Sequence, residues 1–523
     1  MKSSVVRTGA AAAAALCLLA TTACSGGGSG NNGQSDTIVA ETNFDLQTID
    51  PARQFEFTGS TIDDELYQTT LTFKDGDLTK PTDGLCSYEM SDDQKELTLT
   101  MVDKEAKFSD GSPVTTDDIV FSYQRLQGIQ GNPSFFLDGV TVEKVDDETV
   151  KLTSDAPNPA LPYILPNSSL GIVNKAVVEE NGGTTDESDG AEQFLNENSQ
   201  GSGPYKIDTY KPDSEVVMVA NEHYSGPEPK FKRVVLRNVS KDTQLTDVQS
   251  GQAQVAFDLA PDQINSLDQN SVDVTSVPSQ YTLFMFMNQD KGVSDITSNP
   301  DFQSAVRLAV DYDKVLELAG EGSKRMAGVV PEEFVGRVPL NRAKERDLDE
   351  AKKLLEKAGY DGENIPFHFS SDQAVEGVSV AQLAETLQSQ LKEVGINLEL
   401  SPAPSTAQLD GFRGGKQPMG LAQWGADYPD PSNYLVFTPG GTVSERVNWA
   451  EGDSPELDNL VNEAKAASGE EDRGKAYEKL YAEVNDKGPF VPLVQPMGNV
   501  VVSKNIKKYV SNADTSFEFS TAE

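Results

Sequence analysis

The residues best suited to chemistry in this chain lie together near its C-terminal end, in the stretch LAQWGADYPDPSNYLVF (421–437). Pro429 and Pro431 exclude a regular helix there and hold the backbone in extended or turn geometry. Asp427 therefore places a carboxylate beside Trp424 in a segment flanked by apolar runs. Such an aspartate either caps a turn or pairs with a cation, and the local sequence leaves both interpretations open.

The rest of the chain offers little catalytic or metal-binding chemistry. It has only two histidines, His223 and His368, and neither has a cysteine or carboxylate at metal-ligand spacing. The sequence contains no G-x-S-x-G elbow, phosphate-binding loop or dinucleotide fingerprint. Asp427 and Asp430 have the residue types of a glycosidase pair, but aspartates three apart arise by chance in so acidic a chain. We therefore expect no enzyme, no metal and no cofactor.

Length and charge limit the class of protein further. A chain of 523 residues is expected to form two or more domains. Its 43 Lys and Arg against 83 Asp and Glu give a formal net charge of -40, which argues against nucleic acid because phosphate contacts need a basic surface. The acidity favours a soluble monomer.

The N-terminus is typical of a secretion signal. A basic start precedes the apolar run GAAAAALCLLA, which is too short to cross a bilayer comfortably, and TTAC follows. The arrangement resembles a bacterial lipoprotein signal over 1–23 with Cys24 as the acylated residue, although Thr21 stands where leucine is usual. Simple cleavage and secretion is the alternative. The segment 24–35 is predicted to be a flexible linker, and Cys86 a small buried residue without a disulfide partner.

Two segments predict β-α-β units, and hence parallel sheets covered by helices. The first comprises strands at 233–239 and 253–259 around a helix that ends at Gly251. The second begins with a strand at 365–371 and continues through a helix with one apolar stripe into the alternating INLEL. Because about a hundred residues separate the two units, we expect two α/β lobes.

The segments around these units also have recognisable patterns. Between 87 and 155 the alternation is hairpin-like, with strands in KELTLTMV and TVEKVDDETVKLTS. Helices are predicted at 115–126, at 299–320 as one element, and at 347–360. The segment 179–193 is predicted to be a polar surface loop or excursion.

Four longer stretches together match one known family. They are FSDGSPVTTDDIVFS (108–122), GSGPYKIDTY (201–210), the run from FMFMNQD to AVDYDKV (284–315) and WGADYPDPSNYL (424–435). In this order they resemble the dipeptide- and oligopeptide-binding proteins of ABC transporters, the extracellular solute-binding proteins of family 5. The resemblance covers about 40–520, essentially the whole mature chain.

The resemblance implies an α/β fold, a bilobal clamshell of the periplasmic-binding-protein type with an additional α+β domain. Lobe I is then expected at 36–68, 200–284 and 488–523, the additional hairpin-rich domain at 69–199 and lobe II at 285–487. Each lobe would contain one of the two β-α-β units.

The resemblance also assigns a role to Asp427, the aspartate of W-x-x-D. In the family's peptide receptors this residue meets the free α-ammonium of an extended peptide held by main-chain pairing. An ammonium enclosed between closed lobes loses its water, and a carboxylate replaces it. Trp424, Ala426 and Tyr428 are expected to form the wall beside it.

Other family contacts transfer less directly. Main-chain contacts to the ligand map near Asn43 and Asn288, although Asn288 could instead satisfy strand backbone. Some oligopeptide receptors carry an arginine just before W-x-x-D that meets a ligand carboxylate, whereas 421–423 reads Leu-Ala-Gln here. Arg413 and Lys416 either substitute for it or are solvated loop charges, which leaves the preferred peptide length open.

The implied function is that of a lipid-anchored receptor on the extracellular face of the cell membrane, or on the periplasmic side in a two-membrane organism. It would capture short peptides and deliver them to ABC permease subunits, whose ATPases supply the energy. The alternatives are the same fold binding another solute, such as a glycan or a nickel or haem chelate, and a secreted hydrolase.

Overall fold

Three larger sheets organise residues 36–511 and 516–523, the part of the chain that this computed structural model describes. The predicted signal segment 1–23, the linker 24–35 and Cys24 lie outside these residues. None of the described helices is long and apolar enough to span a membrane.

A seven-stranded sheet contains the first β-α-β unit. The strand Thr37–Thr42 pairs in parallel with a strand on either side, and the other pairings are antiparallel. The predicted helix is confirmed as Lys241–Ser250, and Gly251 ends it with a left-handed φ of 78°. The second predicted strand is only Val255–Ala256. The strands in order across the sheet are Val272–Pro278, Met497–Ser503, Val255–Ala256, Thr37–Thr42, Arg233–Asn238, Glu215–Ala220 and Tyr205–Lys211.

A six-stranded sheet contains the second β-α-β unit. Its strands Asn364–Ser370 and Asn397–Ala403 are adjacent and parallel, and the helix Val380–Lys392 connects them, as the sequence predicted. The helix buries its apolar stripe against this sheet, in a core that includes Leu383 and Leu387. The strands in order are Lys324–Arg325, Phe490–Gln495, Tyr281–Met287, Met419–Gly425, Asn364–Ser370 and Asn397–Ala403.

The predicted hairpins form a four-stranded antiparallel sheet. Its strands in order are Cys86–Met90, Glu96–Met101, Thr149–Ser154 and Val140–Lys144. The helix Thr116–Gly128 begins with the predicted capping box, in which the Asp118 carboxylate accepts from the Thr115 backbone N–H at 2.9 Å. Cys86 is buried and is a free thiol, as expected.

The prediction of one helix over 299–320 is wrong, because the structure has two, Pro300–Ala309 and Tyr312–Ala319. Val310 is extended, with ψ 132°, and the Asp311 carboxylate accepts from the Lys314 N–H to begin the second helix. The Gln390 amide satisfies the backbone groups of Asp311 at the break between the two helices. Its Oε1 accepts from the Asp311 N–H at 2.9 Å, and its Nε2 donates to the Asp311 carbonyl at 3.2 Å.

The segment 179–193 is more than a polar surface loop. It carries Asp189 into the interior, where the carboxylate accepts from Arg125 at 2.8 Å and from Arg53 at 3.0 Å. Arg125 also makes a two-bond pair with Asp50 at 2.7 and 2.6 Å. Two arginines in a buried site require carboxylates, and this loop supplies one of them.

The lobe boundaries stay a prediction. Along the chain, the strand that ends at Pro278 belongs to the seven-stranded sheet and the strand that begins at Tyr281 belongs to the six-stranded sheet. The chain returns from the six-stranded to the seven-stranded sheet between Gln495 and Met497.

The helices not yet given are Phe57–Leu66, Leu161–Ile164, Lys175–Glu180, Glu192–Glu197, Pro261–Asn265, Leu348–Ala358, Ser405–Arg413, Thr442–Glu445, Pro455–Ala466 and Glu470–Lys487. Two short hairpins pair Leu71–Thr72 with Thr82–Asp83 and Ala374–Val375 with Val378–Ser379.

Candidate functional site

The segment after the strand Met419–Gly425 is held in place by a short 3-10 turn, Pro431–Phe437. This strand lies inside the six-stranded sheet, between Tyr281–Met287 and Asn364–Ser370. Asp427 therefore follows directly after a strand that is paired on both sides, at the point where the chain turns. Ligand-binding residues of α/β proteins often occupy such positions at strand ends.

Asn433 fixes the Asp427 carboxylate. Its Nδ2 donates to Asp427 Oδ2 at 3.0 Å, and its Oδ1 accepts from the Asp427 backbone N–H at 3.3 Å. The same Oδ1 accepts from Trp424 Nε1 at 3.3 Å. One amide thus orients both motif side chains. Asn433 is not among the residues predicted from the sequence, although it stands six residues after Asp427 in the quoted stretch.

Within the described part of the chain, the electrostatic environment of Asp427 lacks a balancing charge. Burial raises the pKa of its carboxyl above the usual value, and the hydrogen bond from Asn433 opposes the rise. Among residues 36–511 and 516–523, no Lys or Arg forms an ion pair with this carboxylate. A partly desolvated carboxylate with one amide partner has the capacity to accept a further donor, above all a cation.

Asp427 lines a cleft of about 850 Å³, a size typical of ligand sites. Trp424 and Tyr428 line the same cleft, and so do Phe55 and Phe135 from the N-terminal part of the chain. The cleft thus receives residues from each of the segments predicted as lobe I, additional domain and lobe II. Its remaining polar and charged lining includes Gln373, Gln408, Arg413, Gln423, Asn433 and Arg446.

Tyr428 lines the cleft beside the aspartate, whereas Ala426 is not part of the cleft lining. The Tyr428 ring meets Phe136 edge-to-face with centroids 6.4 Å apart, and burial raises the pKa of its hydroxyl to about 12, so the group is neutral. Ala426 packs on the apolar core beside the six-stranded sheet. Asn167 donates from Nδ2 to the Asp427 carbonyl at 3.2 Å, which ties the four-stranded part of the chain to the motif.

Asn43 lies in a neighbouring cavity of about 280 Å³ and not in the Asp427 cleft. Its backbone N–H donates to Asp258 Oδ2 at 2.7 Å. Gln423 lines both cavities, so the two cavities adjoin at this residue. The structure therefore places Asn43 near the candidate site without direct contact to Asp427.

Asn288 is not brought to either cavity. It is fully buried, and its Nδ2 donates to the carbonyls of Gly415 at 3.0 Å and Gln417 at 3.1 Å. Its Oδ1 accepts from the Asp290 N–H and from Asn448 Nδ2, both at 2.9 Å. These contacts agree with the alternative that Asn288 satisfies backbone at a strand end.

Asp430 has a structural role distinct from that of Asp427. It is buried and forms a two-bond ion pair with Arg473, with both distances 2.9 Å. It also begins the 3-10 turn by accepting from the Ser432 N–H at 2.9 Å. Because Asp430 is already paired, it is not available as the second carboxylate of a glycosidase.

Two α/β sheets, and a ligand-sized cleft lined from the segments predicted as both lobes, are the arrangement expected of a solute receptor of the periplasmic-binding type. The family model for bacterial extracellular solute-binding proteins, family 5 (middle), matches residues 81–445. The chain therefore belongs to the bacterial extracellular solute-binding proteins of family 5, a family of transport proteins.

Individual proteins agree with this assignment. The probable D,D-dipeptide-binding periplasmic protein DdpA of Escherichia coli (strain K12) is 29% identical over 491 residues, which cover 91% of this chain and 92% of its own length. The structure of the ABC transporter substrate-binding protein CtaP from Listeria monocytogenes matches with a TM-score of 0.82 and 21% identity, covering 93% of this chain and 99% of CtaP.

The periplasmic binding protein DppA from Helicobacter pylori, solved in complex with the peptide STSA, matches with a TM-score of 0.74 and 22% identity. The match covers 93% of this chain and 97% of DppA. These similarities confirm the predicted bilobal α/β fold.

Proposed function

We propose that this chain is the substrate-binding component of an ABC importer, and that it captures short peptides between two closing lobes and delivers them to the permease. Asp427 binds the α-ammonium of the peptide. One observation supports this most directly: Asp427 lines a cleft of about 850 Å³, is partly buried, and has no described Lys or Arg as a counter-ion.

The chemistry of the site favours a ligand that brings its own cation. A carboxylate removed from water is stabilised by a charge-assisted hydrogen bond, and a free peptide N-terminus supplies three donors and one positive charge. The relative from Escherichia coli is named for D,D-dipeptides, and the structure from Helicobacter pylori holds the peptide STSA. Both names support a peptide ligand.

The membrane attachment is a separate part of the proposal. Acylation of Cys24 would hold the soluble body at the extracellular face through the linker 24–35. There the body would reach the permease, which works with its ATPases. A Cys24→Ser variant should appear in the culture medium or the soluble fraction. Cys86→Ser is the matched control. The Cys86 thiol is buried in the folded body, so its replacement should leave membrane attachment unchanged. Attachment of Cys24→Ser to membranes would contradict the lipid anchor.

The alternatives differ in what the cleft must hold. A glycan brings no ammonium for Asp427. Among the described residues no group of three or more His, Cys, Asp or Glu is placed to hold a metal ion, so a nickel or haem chelate would need other contacts. A secreted hydrolase would need a nucleophile or an acid pair, and Asp430 is occupied by Arg473.

Mass spectrometry of the protein purified without added ligand tests the proposal. The protein is first measured intact under native conditions and then denatured, and the released molecules are sequenced. We expect short peptides with free N-termini. Release of a sugar, a haem or a metal chelate would contradict a peptide ligand, and cleavage of an added peptide would identify a hydrolase.

A further inference from the structure

A second cavity, of about 340 Å³, shares no lining residue with the Asp427 cleft. It forms where the C-terminal end of the helix Phe57–Leu66 meets the short hairpin of Leu71–Thr72 and Thr82–Asp83 and the C-terminal segment 517–520. A ligand held in this cavity would therefore be additional to the one in the cleft.

Acidic and aromatic side chains form the walls of this cavity. Its carboxylates and two of its four aromatic rings are Asp64, Glu65, Asp83, Glu518, Tyr224 and Phe517. No Lys, Arg or His is among the described residues that line it. The C-terminal end of a helix favours positive charge, and so do the faces of aromatic rings. The lining therefore suits a cation.

Glu65 is the buried acid of this set. It is 2% exposed, its Oε1 accepts from the Ser520 N–H at 3.1 Å, and its Oε2 has no hydrogen-bond partner among the described residues. Oε1 of Gln68, in the same wall, is also buried and has no donor in the described part of the chain. Two buried oxygens in one cavity wall thus lack donors, which is costly unless a molecule from outside the chain supplies them.

Tyr224 lies in the field of two of these acids. The pKa of its hydroxyl is raised to about 12, first by burial and then by the charges of Glu65, Asp103 and Glu518. Among the described residues, no three carboxylates are placed to hold one metal ion, so the acids of the cavity are spread over its walls. Spread acids suit an extended cation with two charges better than a point charge.

We propose that this cavity binds a small organic diamine, one of whose ammonium groups donates to Glu65 Oε2. A primary ammonium supplies three N–H donors and a positive charge, whereas a quaternary ammonium has no donor to offer. The alkyl chain meets the aromatic walls, and the second ammonium meets the charge of Glu518. This inference goes beyond the proposed peptide function and does not depend on it.

Calorimetric titration of the whole protein with 1,4-diaminobutane tests the inference. The comparison compounds are 1,4-butanediol, which has the same length and no charge, and magnesium chloride. At pH 8.5 Glu65 is above its pKa of about 8, and an alkylammonium is below its usual pKa of about 10.4. Sodium chloride at about 0.15 M screens the acidic surface of the protein. We expect one diamine to bind per chain, and neither the diol nor magnesium to bind.

Variants connect the diamine to this cavity. Glu65→Gln keeps an acceptor for Ser520 and removes the charge, so it should bind the diamine roughly 10- to 100-fold more weakly. Glu518→Gln, at a partly exposed part of the wall, should also weaken binding and serves if Glu65→Gln does not fold. Glu180→Gln removes the same charge from an exposed site outside the cavity and should leave the affinity unchanged. Asp427→Asn should leave it unchanged too. A thermal melt of each variant verifies folding.

Four results would overturn the inference. They are absent binding of the diamine, equally tight binding of the diol, tighter binding of magnesium, and equal losses in the cavity variants and Glu180→Gln. The last would show attraction to the acidic surface as a whole. A loss in Asp427→Asn would also overturn it, because it would place the amine in the peptide cleft.

Discussion

Asn433 and Asp427 make a two-way contact: the amide of one donates to the carboxylate of the other at 3.0 Å and accepts from its backbone N–H at 3.3 Å. This contact fixes where the carboxylate points before any ligand arrives. A preorganised carboxylate loses less conformational freedom on binding than a mobile one. The affinity of the cleft should therefore depend on Asn433 even if that side chain never touches a ligand.

Removal of the Asn433 amide tests this dependence. Asn433→Ala frees the Asp427 carboxylate and leaves the Trp424 indole N–H without its acceptor, so we expect peptide affinity to fall roughly 10-fold, as for the loss of one or two hydrogen bonds. Calorimetric titration measures the change, and Asn270→Ala, at an exposed amide that donates to Asp268 and lines neither cavity, is the control. Unchanged affinity in a folded Asn433→Ala variant would show that Asp427 needs no positioning.

The pH dependence of binding follows from the pKa of Asp427. Burial raises that pKa above its usual value in the free protein, and a bound ammonium favours the ionised form. Affinity should therefore be full where Asp427 is ionised and should decrease as pH falls through its pKa. Dissociation constants measured between pH 7 and pH 4 should show this decrease in the wild type and a flatter profile in Asp427→Asn. Parallel profiles would place the titrating group elsewhere.

The buried pair of Asp430 and Arg473 should contribute to stability and not to ligand choice. Asp430→Asn leaves the guanidinium without its carboxylate, and breaking such a pair costs about 3–5 kcal/mol of unfolding free energy. Urea denaturation measures the loss. Glu471→Gln breaks an exposed pair with Lys475 and should cost about 0–1 kcal/mol. Equal effects of the two variants would contradict a structural role for Asp430.

The elements predicted correctly from the sequence are those whose signals are local. The helix stripe of Val380–Lys392, the αL glycine at 251 and the W-x-x-D segment each follow from neighbouring residues. The break at Val310 was missed because the Gln390 amide, distant in sequence, satisfies the backbone there. Asp189 and Glu65 were missed for a similar reason. Their environment comes from Arg125 and from the walls of a cavity, which no short pattern encodes.

A buried carboxylate in the N-terminal part should make stability depend on pH. Burial raises the pKa of Glu65 to about 8, and its Oε1 accepts from the Ser520 N–H. Because the folded state then holds this proton more tightly than the unfolded state, the unfolding free energy contributed by Glu65 is highest at low pH. It decreases as pH rises from about 4.5 to about 8, by no more than about 1.4 kcal/mol per pH unit.

Urea denaturation at pH 5, 6.5 and 8 measures this effect. Glu65→Gln should flatten the decrease, since the amide keeps the acceptor for Ser520 and cannot ionise. Glu105→Gln, at an exposed site, should reproduce the wild-type slope. A wild-type slope in Glu65→Gln would assign the titration to another buried acid, such as Asp63, whose pKa burial raises well above the usual value, or Glu41, whose pKa burial raises to about 7.

The most direct test of the central claim is the calorimetric affinity of the wild type and Asp427→Asn for one peptide and its N-acetylated form. Asparagine keeps the size of the side chain and its contact with Asn433 but removes the charge. We expect either change to weaken binding roughly 30- to 1,000-fold, equivalent to about 2–4 kcal/mol for a lost buried charge pair, and the two changes together to add little. Equal affinity of both proteins for the free peptide, or undiminished binding of the N-acetylated one, would contradict Asp427 as the ammonium-binding residue.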